Sequence, residues 1–193
     1  MNIIETNLHF RYAQQKRTKT DYIVVHHTAH TNCSIQDIHR WHQEKGWNGV
    51  GYHYFIRKNG NIYRGRDKDA IGSHCLGINE VSVGVSLEGN FDTEYPSDAQ
   101  KSSLNDLLQE LVKIYPNAKI IKHSDKYATS CPGKFFDNSL LQVKQKSTYE
   151  RDLETLRKAG VIQSPAYWLG VGDIANGEFV KKLISNMARF IKQ

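Results

Sequence analysis

Several short stretches of this chain are continuously apolar or alternate apolar and polar positions with a period of two, and both patterns predict β-strands. Strands are predicted at Tyr22–His26, Tyr52–Arg57, Asn61–Arg64, Glu80–Glu88 and Lys119–Lys122. The second and third form a hairpin, because Asn59-Gly60 between them can take the positive φ angles of a tight turn. The same period places Tyr52 on the face of Tyr54 and Ile56.

Other stretches carry apolar residues at the helical period of 3.6. Ser34 and Asp37 predict the start of one helix, because a serine caps the first N–H groups and an acidic residue suits the positive end of the dipole. A second helix is predicted to begin at Pro96-Ser97-Asp98 and to stop before Pro116. Two more are predicted near the end of the chain, at Thr148–Lys158 and Glu178–Ile191.

Strands that alternate with covering helices predict an α/β fold. We expect a mixed central β-sheet flanked by helices, because the hairpin adds an antiparallel pair. Residues 1–143 would form one main domain, and residues 144–193 a small C-terminal helical appendage around the segment Ser164–Gly172.

Composition is that of a globular protein, with 39% hydrophobic and 24% charged residues among 193. No run approaches the roughly 20 apolar residues that span a bilayer, and the start of the chain lacks the pattern of a signal peptide. We therefore expect a protein that is cytoplasmic on synthesis and does not insert into a membrane. Its three cysteines predict free thiols at Cys33 and Cys75 rather than a disulfide.

A net charge of +6 favours anionic partners. No basic helix or Cys/His finger pattern accompanies this charge, so nucleic acid is not an expected partner. A bacterial wall rich in acidic polymers would be attracted by the same field.

Candidate chemistry lies in two distant segments, Val24-Val25-His26-His27-Thr28 and the stretch from His123 to Cys131. Two imidazoles and one thiolate would leave the fourth tetrahedral position of a Zn²⁺ ion open, as in hydrolytic zinc sites. The alternative is ordinary packing, because a histidine that ends an apolar strand often has only a structural role. His39 and His42, three residues apart on the first helix, are assigned a helix-face role and left out of the site.

Further motifs lie between the two segments. They are Trp41-His42-x-x-x-Gly46-Trp47, Val50-Gly51-Tyr52-His53, Gly65-Arg66-Asp67, Gly72-Ser73-His74, Gly77-x-Asn79 and Ser82 to Gly89. From about Asp21 to about Phe136 the chain resembles the zinc N-acetylmuramoyl-L-alanine amidases of the type that includes T7-like phage lysozyme and the animal peptidoglycan recognition proteins.

The resemblance implies that His26, His123 and Cys131 hold Zn²⁺. It also implies that Tyr52 stabilises the oxyanion, while Thr129 stands where some relatives carry a lysine and Ser86 where some carry a glutamate as general base. The proton-transfer group therefore stays open, with Tyr52 and Thr129 as the catalytic candidates.

His74 and Asn79 occupy a loop that lines the substrate groove in relatives. They would either contact substrate or fix the backbone of their own loop.

The function implied is zinc-dependent hydrolysis of the amide between N-acetylmuramic acid and L-alanine in peptidoglycan. Residues 1–143 would be the zinc amidase catalytic domain, and two roles are open for residues 144–193: cell-wall targeting, or a structural cap. The simplest role of the protein is that of a phage or prophage endolysin released through a holin. The alternatives are a non-catalytic peptidoglycan-binding protein and a cytoplasmic amidase that recycles muropeptides. A partner role toward a phage RNA polymerase is a further alternative.

Overall fold

We analysed a computed structural model that describes residues 1–143, 148–163, 167–168 and 177–191. The chain divides into two compact units, Met1–Val143 and Lys144–Gln193. The catalytic and appendage roles assigned to these two parts of the chain stay predictions.

A six-stranded sheet forms the centre of the first unit, in the order β1-β4-β3-β5-β2-β6. All neighbours are parallel except β3 and β4, which form the predicted antiparallel hairpin. The mixed α/β fold is thus confirmed. The strands are β1 (Ile3–Ile4), β2 (Tyr22–His27), β3 (Tyr54–Ile56), β4 (Ile62–Arg64), β5 (Ser82–Leu87) and β6 (Lys119–Lys122).

The two helices of this unit begin where the capping residues predict. In α1 (Ile35–Glu44), Ser34 accepts from the N–H of Asp37, whose carboxylate accepts from the N–H of Ser34. In α2 (Asp98–Ile114), Ser97 and Gln100 form the same reciprocal pair. Each cap satisfies two N–H groups that have no partner within a helix.

The helices cover opposite faces of the sheet, because neighbouring side chains on a strand alternate in direction. Tyr54 and Ile56 of β3 pack in the larger core, which includes the leucines of α2 at 104, 107, 108 and 111. Phe55 packs in a smaller core with Ile35 and Ile38 of α1. The odd-numbered residues of β2 and β5 pack in the larger core as well, so the even-numbered residues of these two strands face the α1 side.

The hairpin and β5 differ from the sequence predictions in detail. Only Gly60 of the turn has a positive φ, 84°, and Asn59 does not. Arg57 N–H donates to Asn61 O, and Gly60 N–H donates to Arg57 O, so the loop is a three-residue turn with a bulge at glycine. Strand β5 begins at Ser82 rather than Glu80, because Asn79–Val81 forms a 3₁₀ turn.

The two-residue period predicts the wrong face for Tyr52. Its side chain packs in the smaller core with Phe55, not with Tyr54 and Ile56. The strand starts only at Tyr54, so residues before it are not bound to the alternation of the pleat.

In the second unit, helices α3 (Thr148–Lys158) and α4 (Gly177–Ile191) match the predicted positions closely. They share an apolar cluster made of Leu153, Leu156, Ile162, Ile184 and Ala188. Most of the predicted segment Ser164–Gly172 lies outside the described residues. None of the helices described for this chain has the length and hydropathy required to cross a bilayer.

Glu88, directly after β5, ties the hairpin to the loop before α1. Its side chain is 2% exposed and accepts hydrogen bonds from the Arg57 guanidinium and from the N–H groups of Cys33 and Lys58. Burial alone would raise the pKa of this carboxyl, but Arg57 and the two N–H groups outweigh it, so the pKa is lowered.

We expect Glu88→Gln to lower the free energy of unfolding by about 1–3 kcal/mol near pH 7, because buried donors lose a charged acceptor. A carboxyl whose pKa is depressed by folding stabilises above its unfolded pKa of about 4.3 and loses this effect as pH falls through the folded value. The gap between the two proteins should therefore shrink in acid, as measured by urea unfolding across this pH range.

Glu110→Gln provides the control. Glu110 pairs with Lys113 on α2, with side chains 46% and 67% exposed, so its loss should change stability by less than about 0.5 kcal/mol. A Glu88→Gln deficit that stays constant down to acid pH would contradict the assigned role of the charge.

Candidate metal centre and cleft

The two candidate histidines meet because β2 and β6 are parallel neighbours. Val25 pairs with Lys122, so His26 and His123 stand side by side at the carboxyl ends of the two strands. Their ring centroids are 4.4 Å apart. His26 is 1% exposed, whereas His123 is partly exposed.

The third candidate, Cys131, returns to this point on a loop held by its own backbone. Ser124 N–H donates to Cys131 O at 3.0 Å, which closes the loop next to His123. Cys131 N–H donates to the hydroxyl of Thr129 at 3.2 Å. The Cys131 side chain thus approaches His26, with 3.7 Å between Sγ and Nδ1.

The donor set fits a zinc ion. The ligand atoms of His26, His123 and Cys131 all lie within 4.8 Å of one another, and no other such cluster occurs among the described residues. Tetrahedral zinc with ordinary bond lengths places a nitrogen and a sulfur ligand about 3.6 Å apart. The Nδ1 to Sγ distance of 3.7 Å agrees with this value.

Burial keeps these donors uncharged in the absence of a cation. It lowers the pKa of His26 well below the ordinary value, with His123 adding to the effect, and it lowers the pKa of His123. It raises the pKa of the Cys131 thiol to about 12. Neutral imidazoles are the form that binds a metal, while the thiol requires a cation nearby to ionise.

Tyr52 lies against this centre. Its ring centroid is 5.1 Å from that of His26, and its side chain lines the cleft. Burial raises the pKa of its hydroxyl above the usual range, and the neighbouring Cys131 adds to this rise. The hydroxyl therefore stays protonated near neutral pH and can donate a hydrogen bond.

The face of β5 toward the centre carries only small residues, Ser82, Gly84 and Ser86. Ser86 is paired in register with His26 and is fully buried. Glu88, two residues on, is fully engaged with Arg57 and backbone N–H groups. The strand thus offers no carboxylate base at the position where some relatives have one.

His74 and Asn79 are both in the cleft lining, and both also make hydrogen bonds within the protein. Asn79 Oδ1 accepts from the N–H groups of His74 and Cys75 at 2.8 and 2.9 Å. His74 Nδ1 lies 3.1 Å from His26 Nε2. Of the two alternatives, the geometry favours backbone fixing for Asn79, and a substrate contact by either residue stays a prediction.

Thr129 is not brought into the cleft. It lines a separate surface pocket with Ser130 and Lys134, and its hydroxyl is occupied by the Cys131 N–H. This arrangement supports a role in shaping the cysteine loop. Its catalytic role stays a prediction.

A cleft of about 870 Å³ opens beside the centre, with His123 in its wall. Half of the lining residues carry aromatic rings: His30, Trp41, His42, Trp47, Tyr52, His74, His123 and Tyr127. Trp47 and Tyr127 are 45% and 46% exposed. Glu44 is the single carboxylate in the lining supplied by the described residues. Such walls suit a ligand with apolar ring faces and neutral polar groups.

His42 stays outside the donor cluster, as predicted for the metal, but its ring lines the cleft against Trp47, a place that the sequence did not indicate. His39 has the expected structural role: it accepts from the Val50 N–H and bonds to His9 O. The motif that contains Trp41, His42 and Trp47 carried the signal for this wall, but the helical period alone could not show which face borders a cleft.

Comparison with known proteins agrees with this geometry. Residues 16–134 match the family model described as N-acetylmuramoyl-L-alanine amidase. An endolysin of Enterobacteria phage K11 is 42% identical over 125 residues, covering 61% of this chain and 83% of that protein.

Two solved structures extend the likeness to three dimensions. The N-acetylmuramoyl-L-alanine amidase LysC from Clostridium intestinale URNW has a TM-score of 0.70 at 38% identity, covering 73% of this chain and 95% of that one. A mutant of Drosophila PGRP-LB in complex with tracheal cytotoxin has a TM-score of 0.63 at 26% identity, covering 69% and 89% of the two chains.

The match to the family model extends over more than half of the 193 residues and includes all three candidate ligands. This chain therefore belongs to the N-acetylmuramoyl-L-alanine amidase family.

Proposed function

We propose that this amidase hydrolyses the bond between N-acetylmuramic acid and L-alanine with a zinc ion held by His26, His123 and Cys131. The observation that carries the proposal is the meeting of these three donors, from two segments about a hundred residues apart, beside an open aromatic cleft. Zinc is the metal that best suits two imidazoles and a thiolate. When bound, it supplies Lewis-acid chemistry that lowers the pKa of water and polarises a carbonyl.

The residues of the chain supply position and hydrogen bonding. Tyr52, protonated and beside His26, would donate to the oxygen of the scissile carbonyl as negative charge develops on it. The aromatic walls, among them Trp47 and Tyr127, would hold sugar and stem peptide across the cleft. The proton-transfer group stays open, with Tyr52 and Thr129 as candidates, since Glu44 is the single carboxylate that the described residues bring to the lining.

Peptidoglycan fragments are the proposed ligands of the cleft. The Drosophila relative was solved with tracheal cytotoxin, which supports a muropeptide in the equivalent groove. An endolysin role, with release through a holin, is supported by the relation to the phage K11 endolysin. A recycling amidase would use the same centre, so the identity of neighbouring genes separates the two roles.

A binding protein without activity is less well supported, because every donor required for the metal is present. Restraint of a phage RNA polymerase stays a prediction that no contact or surface described above supports.

Purified protein should contain about one zinc, and Cys131→Ser should lose most of it together with activity, because a hydroxyl is a much weaker zinc ligand than a thiolate. Metal content by plasma mass spectrometry measures this directly. Cys33→Ser is the matched control: it makes the same change at a buried thiol outside the donor cluster and should keep its zinc. Equal zinc content in the Cys131 and Cys33 variants would contradict the assignment of Cys131 as a zinc ligand.

Digestion of purified peptidoglycan should release new amino termini on L-alanine with no rise in reducing sugar. Tyr52→Phe should reduce kcat by about 10²-fold, the usual effect of removing one oxyanion donor, with little change in metal content. Amino-group labelling and reducing-end assays measure the two products. Reducing ends without free L-alanine amines would instead indicate a glycosidase.

Truncation of the chain after Val143 tests the role of the second unit. If residues 144–193 target the wall, the shortened chain should cleave soluble muropeptide normally but bind intact sacculi less well. If they form a structural cap, truncation should lower the melting temperature and impair activity on every substrate. Co-sedimentation with sacculi at fixed salt distinguishes these outcomes, and equal binding by both chains excludes targeting.

A further inference from the structure

We infer that His74 is a positioning residue that fixes the ring and the tautomer of His26 for metal binding. The inference rests on the zinc site proposed above. The His74 side chain is buried, 8% exposed, and its Nδ1 lies 3.1 Å from Nε2 of His26. The two rings meet edge to face, at an interplanar angle of 83°.

The hydrogen bonds around His74 have one consistent direction. His26 Nδ1 faces Cys131 Sγ and is the atom available to the metal, so the proton of this ring must be on Nε2. That N–H donates to His74 Nδ1, which leaves the proton of His74 on its own Nε2.

The chain of donors then ends on a backbone carbonyl. His74 Nε2 lies 3.3 Å from Ser82 Oγ, and the Ser82 hydroxyl donates to Ile78 O at 2.7 Å. A carbonyl can only accept, so the direction of every bond back to His26 follows from this end point. Both nitrogens of His74 are thereby used within the protein, which argues against a direct hydrogen bond to substrate.

Two glycines make the slot in which the His74 ring lies. A Cβ atom on Gly72 would stand 2.5 Å from the ring, and one on Gly84 would stand 2.6 Å from it. Neither glycine has a positive φ, so backbone conformation does not require them. They are required for space, and Gly84 lies in the centre of the sheet, on β5.

The loop that carries His74 is also held in place. Asn79 Oδ1 accepts from the N–H groups of both His74 and Cys75. The ring is therefore positioned from its backbone, from its slot and from Ser82 at once. Such support is what a residue requires to orient a metal ligand through a hydrogen bond.

Charge explains why an imidazole serves here in place of the carboxylate that often contacts a zinc-bound histidine. The thiolate of Cys131 would offset one of the two charges of zinc. A carboxylate against His26 would offset the second, whereas neutral His74 orients the ring and leaves net positive charge for the developing oxyanion.

The test compares two substitutions of His74 in the full chain. His74→Asn can place a carbonyl oxygen near the position of Nδ1 and still accept from His26, whereas His74→Leu fills similar volume with no acceptor. We expect His74→Leu to weaken zinc binding by about 10- to 100-fold and His74→Asn to recover most of this loss. The zinc Kd is measured by competition with a chromophoric chelator, and visible spectra of the Co²⁺-loaded proteins report ligand geometry.

The melting temperature of each metal-free protein separates positioning from general packing. Wild-type zinc affinity and an unchanged Co²⁺ spectrum in His74→Leu would overturn the inference. Equal loss of zinc in both variants, alongside equal loss of metal-free stability, would also overturn it and make His74 a packing residue. A wild-type chain that binds no zinc would contradict the proposed function itself. A wild-type chain that binds zinc while His74→Leu keeps the same affinity would contradict only the inference about His74.

Discussion

Parallel pairing of β2 with both β5 and β6 is the constraint on which the rest of the site depends. It sets His26 beside His123 on one side and opposite Ser86 on the other. The carboxyl ends of parallel strands open at the same edge of a sheet, where ligands commonly bind in α/β proteins. From this edge, a single loop is enough to bring Cys131 into contact with His26.

The strand β5 has a different composition on each face, and both are needed. Val83, Val85 and Leu87 pack in the large core toward α2. Ser82, Gly84 and Ser86 face the other way, where any side chain at Gly84 would exclude the ring of His74. One strand thus anchors the fold with branched apolar residues and leaves room for the centre with small ones.

Burial and chemistry are coupled at the three donors. Desolvation disfavours the charged forms of His26, His123 and Cys131, so the folded chain holds them neutral until a cation offsets the thiolate. A largely buried centre next to an open aromatic cleft strengthens electrostatic interactions where charge would develop during amide hydrolysis. Tyr52 stands between the two environments, with its ring against His26 and its side chain in the cleft wall.

Local sequence determined five of the six strands, the caps of α1 and α2, and the family resemblance, because periodicity, capping and short motifs depend on residues close together in the chain. The two-residue strand β1 is too short to show a period. The face of Tyr52, the place of His42 in the cleft and the hydrogen bond from His26 to His74 were decided by tertiary structure alone. Each depends on how segments tens of residues apart pack against one another. A pattern along the chain contains no information on the distance between such segments in space, because that distance is set by how the sheet folds.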